Sequence, residues 1–371
     1  MGEMLNEGFS GASAEGIRML EPPRGFVARG GEGHQGHLRE PILDSYDWIL
    51  INTSAGKDSQ QMMEEVVDRA KKARVFDRLI AVHCDLGSAE WEGCRELAEE
   101  QAAHYGLTGE KFQVVKKEEK GTGRLIDFLE RTMNGFKSRG PRVVPWPDSA
   151  NRWCTSELKT AAVDKLMTRL LKPGGTRFLN CLGIRGQESG MRARCQFCKG
   201  IEDPRKLKGK AAQAYAEGKG TWRRMSQCWV CGGSGERAHM HPALDGYGLD
   251  RRKQIRQEDR WYPIHAMSED TVWRRIAASK VPHHPAYDIG MPRLSCVFCI
   301  YGSKAILTLA GHYNRELLAR YVEVEKKVGY TFTQATSLAE IQKAVESSTI
   351  EEARQAVFDS IKKGEQCGPG D

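Results

Sequence analysis

No uninterrupted apolar run in this 371-residue chain approaches the roughly 18 residues of a membrane-crossing helix, so no membrane partner is expected. The first forty residues lack the compact apolar stretch of a secretory signal, and a cytoplasmic address is the default expectation. No internal repeat is found, which removes solenoid and propeller arrays. The common phosphate loop G-x-x-x-x-G-K-[ST] is missing too: Ile51 and Asp58 stand where its first glycine and its hydroxyl would be.

Hydrophobic residues make up 40% of the chain, enough for a real core. Eleven cysteines, six of them in three C-x-x-C pairs, point in a cytosolic protein to metal or redox work rather than to disulfides. The charge of +7 is uneven: residues 191–260 hold 16 Lys/Arg against 8 Asp/Glu, a local +8 that leaves −1 elsewhere. That excess suits a polyanionic partner, with a solvated basic surface as the alternative.

Residues 1–40, rich in glycine and charge, read as a flexible leader. Residues 41–190 alternate apolar runs suited to strands (48–52, 78–84, 112–116, 177–182) with stretches of helical periodicity (60–73, 89–105, 155–171). The pattern predicts an α/β fold with a doubly wound, mostly parallel sheet of Rossmann type, with ligands at the carboxyl ends of its strands. Residues 191–260 break the rhythm as a basic, cysteine-rich insertion. Residues 261–335 return to the core with helices at 269–279 and 314–328, and residues 336–371 supply a terminal helix at 338–361 and a frayed tail.

Trp48-Ile-Leu-Ile-Asn52 runs straight into Thr53-Ser54-Ala55-Gly56-Lys57-Asp58-Ser59 and then into helical spacing. Backbone N–H groups at such a helix start, its dipole and the Lys57 ammonium together form an anion site. Asp58 is read either as a Mg²⁺ ligand or as a helix cap. Arg185 and Arg192 offer paired donors to phosphate or sulfate oxygens, and Glu188 can hold a guanidinium or a metal-bound water; a surface ion-pair set is the alternative. Cys195, Cys198, Cys228 and Cys231 form C-x2-C-x29-C-x2-C, two pincers for structural Zn²⁺, with His239 or His241 as a substitute donor and four reduced thiols as the alternative. Such a metal would fold an insertion that lacks a core. Cys84, Cys94 and Cys181 read as small buried hydrophobes.

Six ordered motifs carry a resemblance. They are the Ser54 to Ser59 loop, His83-Cys-Asp-Leu-Gly87 with Glu90, Arg152-Trp-Cys-Thr-Ser-Glu-Leu-Lys159, Leu182-Gly-Ile-Arg-Gly-Gln-Glu-Ser189 with Arg192, Tyr262-Pro-Ile-His-Ala-Met-Ser-Glu-Asp-Thr-Val-Trp273, and Tyr287-Asp-Ile-Gly-Met-Pro-Arg-Leu-Ser-Cys-Val-Phe-Cys299. Across roughly residues 46–190 and 260–330 the chain resembles the phosphoadenosine phosphosulfate (PAPS) reductase family of the adenine-nucleotide alpha-hydrolase (PP-loop) superfamily. Ala55 replaces a glycine of the family loop.

The resemblance implies ATP or PAPS over Ser54, Ala55, Gly56, Lys57, Asp58 and Ser59, with Asp85 at a strand end and Gly183 and Arg185 on the opposite wall. It also suggests Cys154, Cys296 and Cys299 as ligands of a [4Fe–4S] cluster, a second metal site, or plain thiols. Trp153 stands where the family's remaining cysteine would be, leaving Cys181, His265 or an open iron position as the fourth donor. Its relatives imply ATP-dependent sulfur transfer to DNA or tRNA, with Lys57, Asp58, Arg185 and Cys154 catalytic and a sulfur donor such as a cysteine desulfurase. The alternatives are a PAPS or APS reductase releasing sulfite, for which Cys367 is the tail candidate without the family's following histidine, and a non-catalytic nucleotide or nucleic-acid module.

Overall fold

The structure is a computed structural model that describes residues 41, 43–173, 176–188 and 256–363. Its centre is a five-stranded, all-parallel sheet of β1 (Trp48–Thr53), β2 (Leu79–Asp85), β3 (Phe112–Lys116), β4 (Thr176–Cys181) and β5 (Arg256–Trp261), in the order β3-β2-β1-β4-β5. Strand alternation assigns side chains to two faces. Ile49, Ile51, Leu79 and Ala81 enter the larger core, while Leu50, Ile80 and Val82 enter a smaller one on the other side. Both faces are therefore apolar, as a parallel sheet covered by helices requires.

Helices α1 (Lys57–Lys72) and α2 (Cys94–His104) contribute Met62, Val66, Ala98 and Ala102 to the larger core. On the opposite face lies α4, which begins at Trp153–Thr155, passes through a π turn at Ser156–Thr160 and continues as Ala161–Arg169. Its Ala162, Val163, Leu166 and Met167 close the smaller core. Chain order thus reverses between β1 and β4, one strand leading outward on each side. The doubly wound, Rossmann-like expectation is met for the described residues.

The edge strand β5 lies inside the range that the sequence pattern assigned to the insertion. Its polar sequence Arg256-Gln-Glu-Asp-Arg-Trp261 hides it, because strand propensity rewards apolar and β-branched residues. The charges are satisfied laterally instead. Glu258 accepts from Asn180 on β4 at 2.9 Å and pairs with Arg256 at 3.2 Å, and Arg256 also bonds Asp164. Asn180 in turn accepts from Asn52 on β1, so a polar chain links three strands.

The remaining helices are α3 (Phe128–Arg139), α5 (Glu269–Ser279), α6 (Lys304–Tyr313), α7 (Arg315–Val328), α8 (Leu338–Glu346) and α9 (Ile350–Lys362). A single terminal helix was expected at 338–361, but Thr349 interrupts it. Ser337 and Thr349 each form a capping box, with Glu340 and Glu352, so two helices start where one was read. Trp153 is buried and stacks on Phe128 at 5.1 Å, with Trp146 and Tyr321 extending the aromatic layer. Trp153 is thus a core element.

One contact fixes how close the strand ends come. A Cβ at Gly183, just past β4, would lie 2.8 Å from the Asp58 carbonyl oxygen and 2.9 Å from the Ser59 nitrogen. Only a hydrogen at this position lets the β4 exit lie against the first turn of α1. We expect Gly183→Ala to destabilise the fold by about 1–3 kcal/mol through overpacking, read as a lowered chemical-denaturation midpoint at unchanged slope.

Candidate functional site

The carboxyl ends of β1 and β4 flank the sheet's reversal of order, where two loops diverge and leave a crevice. The Ser54 to Ser59 turn comes from one side and the Gly183 to Glu188 turn from the other. Gly56, the N-cap of α1, has no side-chain cap, and Asp58 sits in the first turn, so the capping role is not the one Asp58 plays. Its carboxylate instead receives Arg185 Nε at 2.5 Å and lies 3.8 Å from Lys57 Nζ.

Two cations are buried here. The Lys57 and Arg185 side chains are each 3% exposed. Lys57 Nζ donates to the Pro292 carbonyl at 3.0 Å and pairs with Glu269 at 3.2 Å. Arg185 donates to Gln187 Oε1 at 3.0 Å, and its Nη2 lies 3.9 Å from Glu269. Burial pushes the Lys57 pKa down, but the neighbouring Tyr287 and the carboxylates of Asp58 and Glu269 outweigh it and hold the ammonium above its ordinary value. Lys57 is charged at neutral pH.

The backbone cradle differs from the one expected of the loop sequence. The Lys57 N–H donates to the Tyr287 hydroxyl at 2.9 Å, the Ser54 N–H to Ser59 Oγ at 3.1 Å and the Ala55 N–H to Thr53 Oγ1 at 3.4 Å. Side chains therefore serve three loop amides, and the buried Lys57 and Arg185 cations supply the site's full positive charges. Ala55 has φ of 58°, a left-handed conformation that a glycine would adopt without strain.

Glu188 accepts the Arg185 backbone N–H at 3.1 Å and lies 3.6 Å from the Arg293 guanidinium, so the guanidinium it holds comes from the 287–299 segment. Asp85 bonds the Gly87 N–H at 2.8 Å, forming the turn after β2. Arg192, Cys195, Cys198, Cys228, Cys231, His239, His241 and Cys367 lie outside the described residues. Glu269, Gln187, Tyr287 and Pro292 belong to the site although sequence reasoning assigned them no role. Their signal was present only as membership of the quoted motifs.

A second group of side chains forms around the π turn. Lys159 keeps solvent access, yet Cys296, Cys84, Glu90 and Cys154 stand near enough to bias its ionisation. The backbone ties this group together: Val297 N–H donates to the Ala89 carbonyl at 2.9 Å, bringing Cys296 near the turn that follows β2. Cys84 is half-buried, packs against the smaller core and places its Sγ 3.9 Å from the Lys159 carbonyl. Cys94 and Cys181 are core residues. The His265 ring and carbonyl pack against Gly186.

Among the described residues no group of three or more His, Cys, Asp or Glu is arranged to hold a metal ion. Cys154, Cys296 and Cys299 share a neighbourhood, in which burial first and the neighbouring Cys299 after it favour the protonated thiols of Cys154 and Cys296.

Burial pushes the Cys84 thiol up to about 11 and Cys296 up to about 12, with the Lys159 cation pulling the other way in both. A raised thiol pKa keeps the proton on at neutral pH, and the thiolate is the reactive form. We expect Cys84 and Cys296, followed by mass spectrometry of iodoacetamide adducts, to react ever faster up to about pH 10, where an ordinary thiol has levelled off. A plateau below pH 9 would mean that Lys159 outweighs burial.

Comparison of the chain with family models, with curated proteins and with solved structures gives no match.

Proposed function

We propose that the crevice between β1 and β4 binds an adenine nucleotide and that the protein performs ATP-dependent sulfur transfer to a nucleic acid. The observation that carries the reading is the meeting of the Lys57 loop and the Arg185 turn at the sheet's reversal point, with both cations buried. Open parallel sheets bind ligands at such points, and desolvated cations interact with phosphate more strongly than exposed ones. The resemblance to the PAPS reductase family supplies the nucleotide's identity.

In this reading an acceptor oxygen attacks the ATP α-phosphorus and pyrophosphate leaves; sulfide-level sulfur from the donor then attacks the acceptor carbon or phosphorus that bears the adenylated oxygen, and AMP departs carrying that oxygen. Lys57 and Arg185 stabilise negative charge that grows on the phosphoryl oxygens at the transition state. Asp58 orients Arg185 through its 2.5 Å hydrogen bond. Cys154, Cys296 and Cys299, near Lys159, are the thiols that would handle sulfur. The basic excess of residues 191–260 is the reason to prefer a nucleic-acid acceptor, since Lys and Arg neutralise phosphates along a strand.

Pyrophosphate release from ATP is expected only with DNA or tRNA present, and Lys57→Ala should lower its rate about 100-fold or more, the usual effect of deleting a transition-state charge donor. Sulfite release from PAPS, abolished by Cys367→Ser, would point to the reductase instead. Equal rates for wild type and Lys57→Ala would remove the loop from catalysis.

A further inference from the structure

The two buried cations already hold an anion that belongs to the protein. Glu269 opens α5 and reaches across the crevice: one carboxylate oxygen lies 3.2 Å from Lys57 Nζ and the other 3.9 Å from Arg185 Nη2. A single planar anion thus spans both cations, as two oxygens of a phosphoryl group would. Its backbone is fixed independently of this contact. The Glu269 N–H donates to Gln187 Oε1 at 2.7 Å, Gln187 also receives Arg185, and Ser268 caps the helix through Thr271.

The carboxylate differs from Asp58 in its freedom to leave. The Glu269 side chain is 42% exposed, against 18% for Asp58, which is pinned to Arg185 at 2.5 Å. Water is therefore available to rehydrate Glu269 after a side-chain rotation alone. Charge counting also separates the two states. Lys57 and Arg185 against Asp58 and Glu269 sum to zero, whereas withdrawal of Glu269 leaves one net positive charge at the crevice.

We infer that Glu269 is a specificity-determining stand-in for phosphate: it fills the anion position over Lys57 and Arg185, and a ligand must bring negative charge of its own to displace it. The inference rests on the nucleotide reading of this crevice and deepens it. Uncharged nucleosides gain nothing from the cations while Glu269 stays, so the site favours phosphorylated ligands. The carboxylate also keeps two buried cations paired, since an uncompensated buried charge is strongly destabilising.

The test is calorimetric titration of wild type, Glu269→Gln and Glu269→Ala with ATP and with adenosine, at one fixed salt concentration and without added divalent cation. Removing the competing carboxylate should tighten ATP binding about fivefold to tenfold, the effect of one partly exposed ion pair of about 1 kcal/mol, and leave adenosine unchanged. The alanine variant guards against an amide that merely replaces the carboxylate's contacts. If wild type binds ATP and both variants bind it equally or more weakly, Glu269 is not a displaceable stand-in, although the nucleotide reading stands. An equal gain for adenosine would show general opening of the crevice and overturn the inference. Absence of ATP binding by all three proteins would fell the nucleotide reading and the inference with it.

Discussion

Burying Lys57 and Arg185 beside each other is the constraint on which the rest of the site depends. Two desolvated cations repel, and each loses hydration that the interior must replace. The replacement comes from separate parts of the chain: Asp58 in the same turn, Gln187 after β4, Glu269 at the start of α5 and the Pro292 carbonyl. Segments from residue 54 to residue 292 are thereby drawn to one point at the sheet's carboxyl edge. The site is as much a convergence of counter-charges as it is a loop.

The close approach at Gly183 and the buried Tyr287 hydroxyl set the geometry of that convergence. Gly183 brings the β4 exit against the α1 backbone, and Tyr287 accepts N–H groups from both Lys57 and Leu294. Tyr287 thus joins the start of α1 to the segment leading to Cys296. Through Val297 and Ala89 the same segment reaches the turn after β2 and the thiols near Lys159. The hydrogen bond from Lys57 to Pro292 and the chain from Pro292 to Cys296 thus connect the cations with the cysteines.

Much of this was legible in the sequence because apolar periodicity and Gly-bearing turns are local signals. Strands β1 to β4 lie within a residue or two of the positions read from their apolar runs, and Ser54 to Ser59 falls at a strand-to-helix turn as the spacing predicts. The strand β5 was not legible, because its charged residues are stabilised by partners on β4 and α4 that no local window contains. The break at Thr349 was lost for a different reason: apolar spacing continues across it while the capping chemistry does not. The roles of Glu269 and Tyr287 were hidden because they arise more than 200 residues from Lys57. The burial of Cys181 was legible, because the alternation of its apolar strand carries that thiol into the core.

The most direct measurement is a crystal structure of the protein with a non-hydrolysable ATP analogue. The account predicts phosphate oxygens within hydrogen-bond reach of Lys57 Nζ and the Arg185 guanidinium, above the carboxyl ends of β1 and β4. An analogue seated elsewhere, with both cations still paired as they are now, would contradict it.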